Sequence, residues 1–239
     1  MKINLEILRL ILGSKKVESG AADALNELVQ IFVDQGSVRG VTALKTEEAI
    51  FQEFLLDSLA GATSLPTEGR VIDIGTGGGV PGLVLAIVRP DLQFVLTDSA
   101  SKKTTWVTEV VNRLKLRNVE VATHRLEILG QDPEFRGQFE AVTAKALAAL
   151  NVLSEFSLPL LKVGGRLLAY KGPALPEEIK EADFALKTLG GKIHRCSSYA
   201  IGDKSFSICE ILKVGETPAR YPRRDGVPQK KPLLNSRKT

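Results

Sequence analysis

Between Val71 and Gly82 the chain reads VIDIGTGGGVPG, and five of the eight residues from Gly75 to Gly82 are glycine. Glycine permits positive φ and lets a backbone approach a ligand closely. Pro81 suits the first turn of a helix, whose dipole and free N–H groups face whatever is electron-rich. Two acids flank the loop: Asp73 stands two residues before Gly75, and Asp98 closes the run 96-LTD-98. An ionised carboxylate offers acceptors for both hydroxyls of a ribose, and Asp98 suits that task. Asp98 equally suits a plain capping role for a helix beginning near Ser101. The spacing Gly77-x-Gly79-x-x-Gly82 also fits a dinucleotide fingerprint, so the loop alone leaves the ligand open.

Three features favour S-adenosylmethionine over a dinucleotide. The carboxylate of Asp73 can hold the cationic amino-acid end of the methionine, whereas it would repel a pyrophosphate. The run 125-RLEIL-129 can receive an adenine, with the backbone near Leu126 and the Glu127 carboxylate meeting its amine. Glu127 also has the look of an ordinary acid at a helix start. Third, 159-PLLKVGGRLLAYKG-172 places a Gly-Gly turn before a strand. His124 and His194 are the only histidines and read as structural. No Cys/His cluster has metal-ligand spacing, so no metal is expected.

The elements that must position these residues change texture along the chain. Ile3–Leu12, Ala21–Gln35 and Thr46–Leu59 carry apolar residues at helical spacing, with Gly13 and Gly36 as stops. From Arg70 the pattern alternates. Strands are expected at 70–74, 92–97, 118–122, 139–144 and 165–170, with helices near 81–88, 101–115, 147–161 and 176–189 between most of them. Such alternation builds a parallel sheet covered on both faces. Residues 192–201 and 205–214 are joined too tightly for a crossover and must pair antiparallel. The expected fold is α/β and Rossmann-like, a mostly parallel seven-stranded sheet with an antiparallel terminal hairpin and an N-terminal helical extension. This layout is that of class I methyltransferases by fold analogy. The expected division is a helical cap over 1–62, a cofactor-binding core over 63–214 and a basic tail over 215–239.

The 239 residues carry a net charge of +4, unevenly spread. From Thr217 onward there are seven basic residues (Arg220, Arg223, Arg224, Lys230, Lys231, Arg237 and Lys238) against Asp225 alone. Such an arm either binds a polyanion or is a solvated terminus. No apolar run approaches a membrane span, and MKINLEILRL is broken by Glu6 and Arg9, unlike a secretory leader. Cys196 and Cys209 read as reduced core residues of a cytoplasmic protein. Trp106 reads as core, on the inner face of its helix.

Together, 72-IDIGTGGGVPG-82, 96-LTDSASKK-103, 141-AVTAKALAAL-150, 161-LKVGGRLLAYKG-172 and 221-YPRRDGVPQKKPL-233 resemble the bacterial glucose-inhibited division protein B family, RsmG. The similarity runs from about residue 40 to the tail. It implies methylation of N7 of a guanine in small-subunit ribosomal RNA from S-adenosylmethionine. The alternatives are a methyltransferase with another acceptor, and a cofactor- and RNA-binding member with reduced turnover. Cofactor contacts carried over by the resemblance fall on Gly75, Val80, Asp98, Leu126, Glu127 and Lys145, joining Asp73, Gly77 and Gly79 from the loop itself. If the chain is such an enzyme, Lys145, at the end of the fourth strand beside the donor, is the residue expected nearest the chemistry, as a positioning group. RNA contacts are expected from Lys102, Lys103, Arg166, Lys171 and the tail's Arg220, Arg223, Arg224, Lys230 and Lys231. The tail is expected to serve RNA while leaving cofactor affinity nearly intact. The partner is small-subunit RNA or the subunit itself, with no membrane, and the protein is expected to act as a monomer. Three departures stand out: Lys145 replaces an Arg, Gly40-Val41-Thr42 an Asn-Leu-Thr, and Glu53-Phe54 an Arg-His.

Overall fold

The computed structural model describes residues 2–13 and 17–234. Arg237 and Lys238 of the basic arm lie outside the described residues.

Seven strands form one sheet: β1 (Arg70–Ile74), β2 (Gln93–Asp98), β3 (Val119–Thr123), β4 (Phe139–Lys145), β5 (Leu161–Lys171), β6 (Gly191–Ile201) and β7 (Lys204–Lys213), in the spatial order 3-2-1-4-5-7-6. The first five are parallel, and β7 is antiparallel to both β5 and β6. The β6–β7 turn, Gly202-Asp203, is too short for a crossover, which forces that pairing. Strand order reverses between β1 and β4, and the crevice outside the carboxyl ends of the strands at such a point is where α/β sheets bind ligands.

Ten α-helices flank the sheet among the described residues: α1 (Leu5–Leu12), α2 (Ala21–Ile31), α3 (Glu47–Ile50), α4 (Asp57–Leu59), α5 (Gly82–Val88), α6 (Ser101–Arg113), α7 (Leu126–Leu129), α8 (Leu150–Ser157), α9 (Leu175–Leu189) and α10 (Val227–Lys230). Asn4 and Thr46 cap α1 and α3 by accepting from the backbone N–H three residues on. The expected helices over 21–35 and 46–59 form with wider π turns inside them, at Phe32–Gly36 and Phe51–Leu56.

Alternation along the strands splits the interior into two cores. Val71, Phe94, Leu96, Ala141 and Leu168 face α1, α2, α5 and α6, whereas Ile72, Ile74, Val95, Val142 and Leu167 face α8 and α9. The N-terminal helices therefore share a core with one face of the sheet. Trp106 lies within it, fully buried, its indole N–H donating to the Gly78 carbonyl at 3.1 Å. Cys209 is buried, but Cys196 is exposed, on β6 at the edge of the sheet. The core reading thus fails for Cys196, whose Sγ lies 2.7 Å from that of Cys209 directly across the strand pair.

Polar ties fix the cap to the sheet. The Tyr170 hydroxyl donates to the Ser58 carbonyl at 2.8 Å. Asp57 accepts from Lys145 of β4 and from the Tyr199 hydroxyl of β6.

Candidate active site

The glycine loop leaves β1 and crosses the end of β2. Gly75 and Gly77 adopt φ of +63° and +59°, values that favour glycine. The Thr76 N–H donates to the Thr97 carbonyl at 2.9 Å and the Gly77 N–H to Asp98 Oδ2 at 3.0 Å. A Cβ at Gly75 would stand 2.6 Å from Leu147, whereas one at Gly77 would meet nothing closer than 3.9 Å. Thus Gly75 is fixed by packing and Gly77 borders open space.

Asp73 holds this loop from below. Its Oδ2 accepts from Thr76 Oγ1 at 2.6 Å and from the Gly82 N–H at 3.1 Å, and its Oδ1 accepts from Thr143 Oγ1 at 2.7 Å. The carboxylate is wholly buried, and burial pushes its pKa up to about 6 despite those hydrogen bonds. The expected direct grip of Asp73 on a cationic ligand is therefore corrected. Its oxygens point into the protein, where they tie β1, the loop, α5 and β4 together.

Asp98 lines the cleft that opens beside Gly75, a space of about 290 Å³. Each of its oxygens accepts one backbone N–H, Oδ2 from Gly77 and Oδ1 from Ala100 at 2.9 Å. Carboxylate oxygens carry about four acceptor sites, so capacity for two hydroxyl donors is left. The capping and ribose roles are compatible on this geometry. Lys103 stands 3.7 Å away.

Gly75, Asp98, Lys103, Leu126 and Glu127 all line this cleft. Gly77, Gly79 and Val80 do not. Gly79, at φ +103°, faces Leu83, and Val80 packs against the core below the N-terminal helices. Glu127 is shared, because its Oε1 accepts the Gly226 N–H of the tail at 3.0 Å.

Lys145 points elsewhere. Its ammonium contacts Asp57 and the Glu53 carbonyl, and lies 5.6 Å from the centre of the Phe54 ring. Asp57 is 2% exposed, so a buried acid draws the ammonium into the cap. The expectation that Lys145 stands beside the donor is corrected for that reason. Two of the three departures meet here, since Lys145, Glu53 and Phe54 are in mutual contact. Glu53 also pairs with Lys204 at 2.6 Å.

The expected RNA contacts divide. Lys102, Arg220, Arg224, Lys230 and Lys231 are exposed. Arg220, Arg223, Arg224, Lys230 and Lys231 line one groove of about 710 Å³ in the tail. Lys171 is corrected: its side chain is 8% exposed and its amine donates to the Ala148 carbonyl and to Glu178, both at 2.6 Å. Arg166 pairs with the buried Glu210 at 3.4 Å. Arg223 is held by Glu155 through Nε at 2.9 Å and Nη2 at 2.6 Å, which turns its charge inward.

Several residues of the cleft were not assigned from sequence. Arg125 precedes Leu126 and pairs with Asp225 at 2.8 Å. His124, expected to be structural, is exposed on the cleft. Ala146 adopts φ +52°, unusual for a residue with a Cβ and a form of strain that collects at functional sites. Gln229 reaches the cleft from the tail. The first two are neighbours of Leu126 in sequence and were within reach; nothing local marks Gln229. His194 is exposed on β6. No group of His, Cys, Asp and Glu among the described residues could hold a metal ion, and no helix is long and apolar enough to cross a membrane.

A parallel sheet with a terminal antiparallel hairpin, a glycine turn after β1 and an acid ending β2 define an S-adenosylmethionine-dependent methyltransferase of class I. Solved structures agree on the fold. A SAM-dependent methyltransferase from Aquifex aeolicus matches with a TM-score of 0.51 at 19% identity, over 78% of this chain and 97% of that one. TYW2 of M. jannaschii in complex with AdoMet matches at 0.51 and 13%, over 68% and 77%. The family model GidB, rRNA small subunit methyltransferase G, matches residues 21–206. Ribosomal RNA small subunit methyltransferase G of Deinococcus deserti is 38% identical, over 96% of this chain and 97% of its own. That of Roseiflexus castenholzii is 42% identical over 81% and 84%. The chain belongs to the rRNA small subunit methyltransferase G family.

Proposed function

We propose that this protein transfers a methyl group from S-adenosylmethionine to N7 of one guanine in small-subunit ribosomal RNA, acting in the cytoplasm as a monomer. The observation that carries the reading is the likeness to relatives along essentially the whole chain, joined to a cleft whose acid, Asp98, and glycine, Gly75, suit a nucleoside. The cleft fits this donor: Gly75 brings bare backbone to its edge, and Asp98 retains acceptor capacity for two hydroxyls. Once bound, S-adenosylmethionine supplies an electrophilic methyl on a positively charged sulfur.

The chain's own residues have little chemistry to perform. Guanine N7 carries an in-plane lone pair and no proton, so no general base is required. The protein's task is to orient two partners at near-attack distance. Asp98, fixed by the N–H groups of Gly77 and Ala100, holds the ribose. Leu126 and Leu147 supply apolar surface to the cleft. The target base must be presented from folded RNA, and unstacking it costs a few kcal/mol. Phosphate contacts from Arg220, Arg224, Lys230 and Lys231, with the exposed Lys102 of α6, offset that cost.

Methylated guanines mapped in ribosomal RNA from cells with and without this chain provide the test. One guanine should lose its N7 methyl in cells lacking the chain and regain it on complementation. An unchanged map would refute the reading. A second reading, a cofactor- and RNA-binding member with lost turnover, draws support from Lys145 being held in the cap. It predicts saturable cofactor binding with no methylated product on small subunits that lack the modification.

A further inference from the structure

The tail is built into the wall of the cleft. Glu155 of α8 is wholly buried, and it accepts from Arg223 three times over: the backbone N–H at 2.8 Å, Nε at 2.9 Å and Nη2 at 2.6 Å. A bidentate guanidinium–carboxylate pair fixes both distance and orientation. Two residues further on, Asp225 pairs with Arg125, and the Gly226 N–H reaches Glu127. Arg125 and Glu127 both line the cleft. Gly226, at φ +71°, then turns the chain into α10, which delivers Gln229 to the same cleft.

We propose that residues 223–229 form a third wall of the cofactor cleft, with Gln229 contacting the adenosine end of the bound cofactor and the Glu155–Arg223 pair positioning it. A primary amide offers donors and an acceptor side by side, which suits the edge of an adenine. The inference rests on the reading of this cleft as the cofactor site. It replaces the expectation that the tail serves RNA alone. The groove bearing Arg224, Lys230 and Lys231 runs along the same segment, so RNA seated there bears directly on the cofactor's wall.

Calorimetry of the full-length chain with S-adenosylhomocysteine, and separately with adenosine, tests it. Gln229→Ala, a change at an exposed side chain that leaves the core intact, should raise Kd about fivefold for both probes, as one lost hydrogen bond does. Arg223→Met should raise it further. In turnover assays the KM for the methyl donor should rise by the same factor while kcat at saturating donor stays unchanged. Asp98→Ala serves as the reference and should weaken binding by about fifty-fold or more. If Asp98→Ala weakens binding while Gln229→Ala and Arg223→Met match the native Kd, the tail is no wall and this inference falls alone. If Asp98→Ala itself binds normally, the reading of the cleft falls with it. Should Arg223→Met prove unfolded by its melting curve, Gln229→Ala decides by itself. A loss seen with S-adenosylhomocysteine but not with adenosine would also overturn the assignment of Gln229.

Discussion

Replacing Asp73 by Asn isolates the cost of hiding a carboxylate under the glycine loop. The folded protein holds this group at about 6 against an ordinary value of 3.8, because burial outweighs three hydrogen bonds. Below pH 3.8 both states are protonated and the group is neutral to stability. As the pH rises from there to 6, the unfolded chain has given up its proton and the folded chain has not, so stability falls. Above 6 the penalty is constant, at about 3 kcal/mol for a shift of this size. Asn keeps the shape, does not titrate, and can accept from the Gly82 N–H and Thr76 while donating to Thr143. Urea unfolding of the two proteins at pH 4 and at pH 7 measures the effect. Because part of the penalty is already present at pH 4, the stability of Asp73→Asn relative to native should improve by about 2 kcal/mol between those pH values. If the two proteins keep a constant difference across that range, Asp73 is not held protonated by burial and the argument for its inward role is wrong.

Other substitutions probe the loop and the cap. Gly79→Ala places a Cβ 2.3 Å from Leu83 at φ +103°, and should destabilise the fold by roughly 2 kcal/mol or more in a denaturant titration. Trp106→Phe removes the indole N–H from the Gly78 carbonyl and leaves a void. It should lower stability by about 2 kcal/mol and measurably weaken cofactor binding through the loop. Asp57→Asn strips Lys145 of its counter-charge. The loss should be on the order of 2 kcal/mol, below that of a fully buried pair, since Lys145 keeps some solvent. Neutralising Lys230 and Lys231 together should reduce the slope of log affinity for RNA against log salt by roughly two, read by filter binding at several ionic strengths.

What the sequence reveals and what it hides follows from how far apart the partners lie. Periodicity marked β1 at its true bounds, Arg70–Ile74, and placed the other strands within a few residues. The place of Asp98 beside the glycine loop was legible because the strand that carries it and the loop that it meets obey local rules. Asp73 was found but given the wrong task, since sequence does not say which way a side chain at a strand end turns. Thr143, which takes one of its oxygens, lies 70 residues away. Lys145 failed for the same reason: the acid that captures it, Asp57, sits in a different element, and no local pattern joins them. In the tail, composition announced charge, but the buried Glu155 that engages Arg223 is 68 residues distant. Basic residues read as one arm thus became a pinned part and a presented part.

The position of β7 between β5 and β6 has a consequence for how the chain is made. Synthesis delivers β5, then α9, then β6, and only afterwards the strand that must lie between β5 and β6. Until Lys204–Lys213 emerges, β5 presents an open edge of backbone donors and acceptors, the kind of surface that templates mispairing. Glu210, buried on β7 between Arg166 of β5 and Arg195 of β6, then acts as the keystone, drawing both flanking strands inward by charge as it arrives. A nascent chain halted before residue 204 is accordingly the form of this protein most exposed to aggregation.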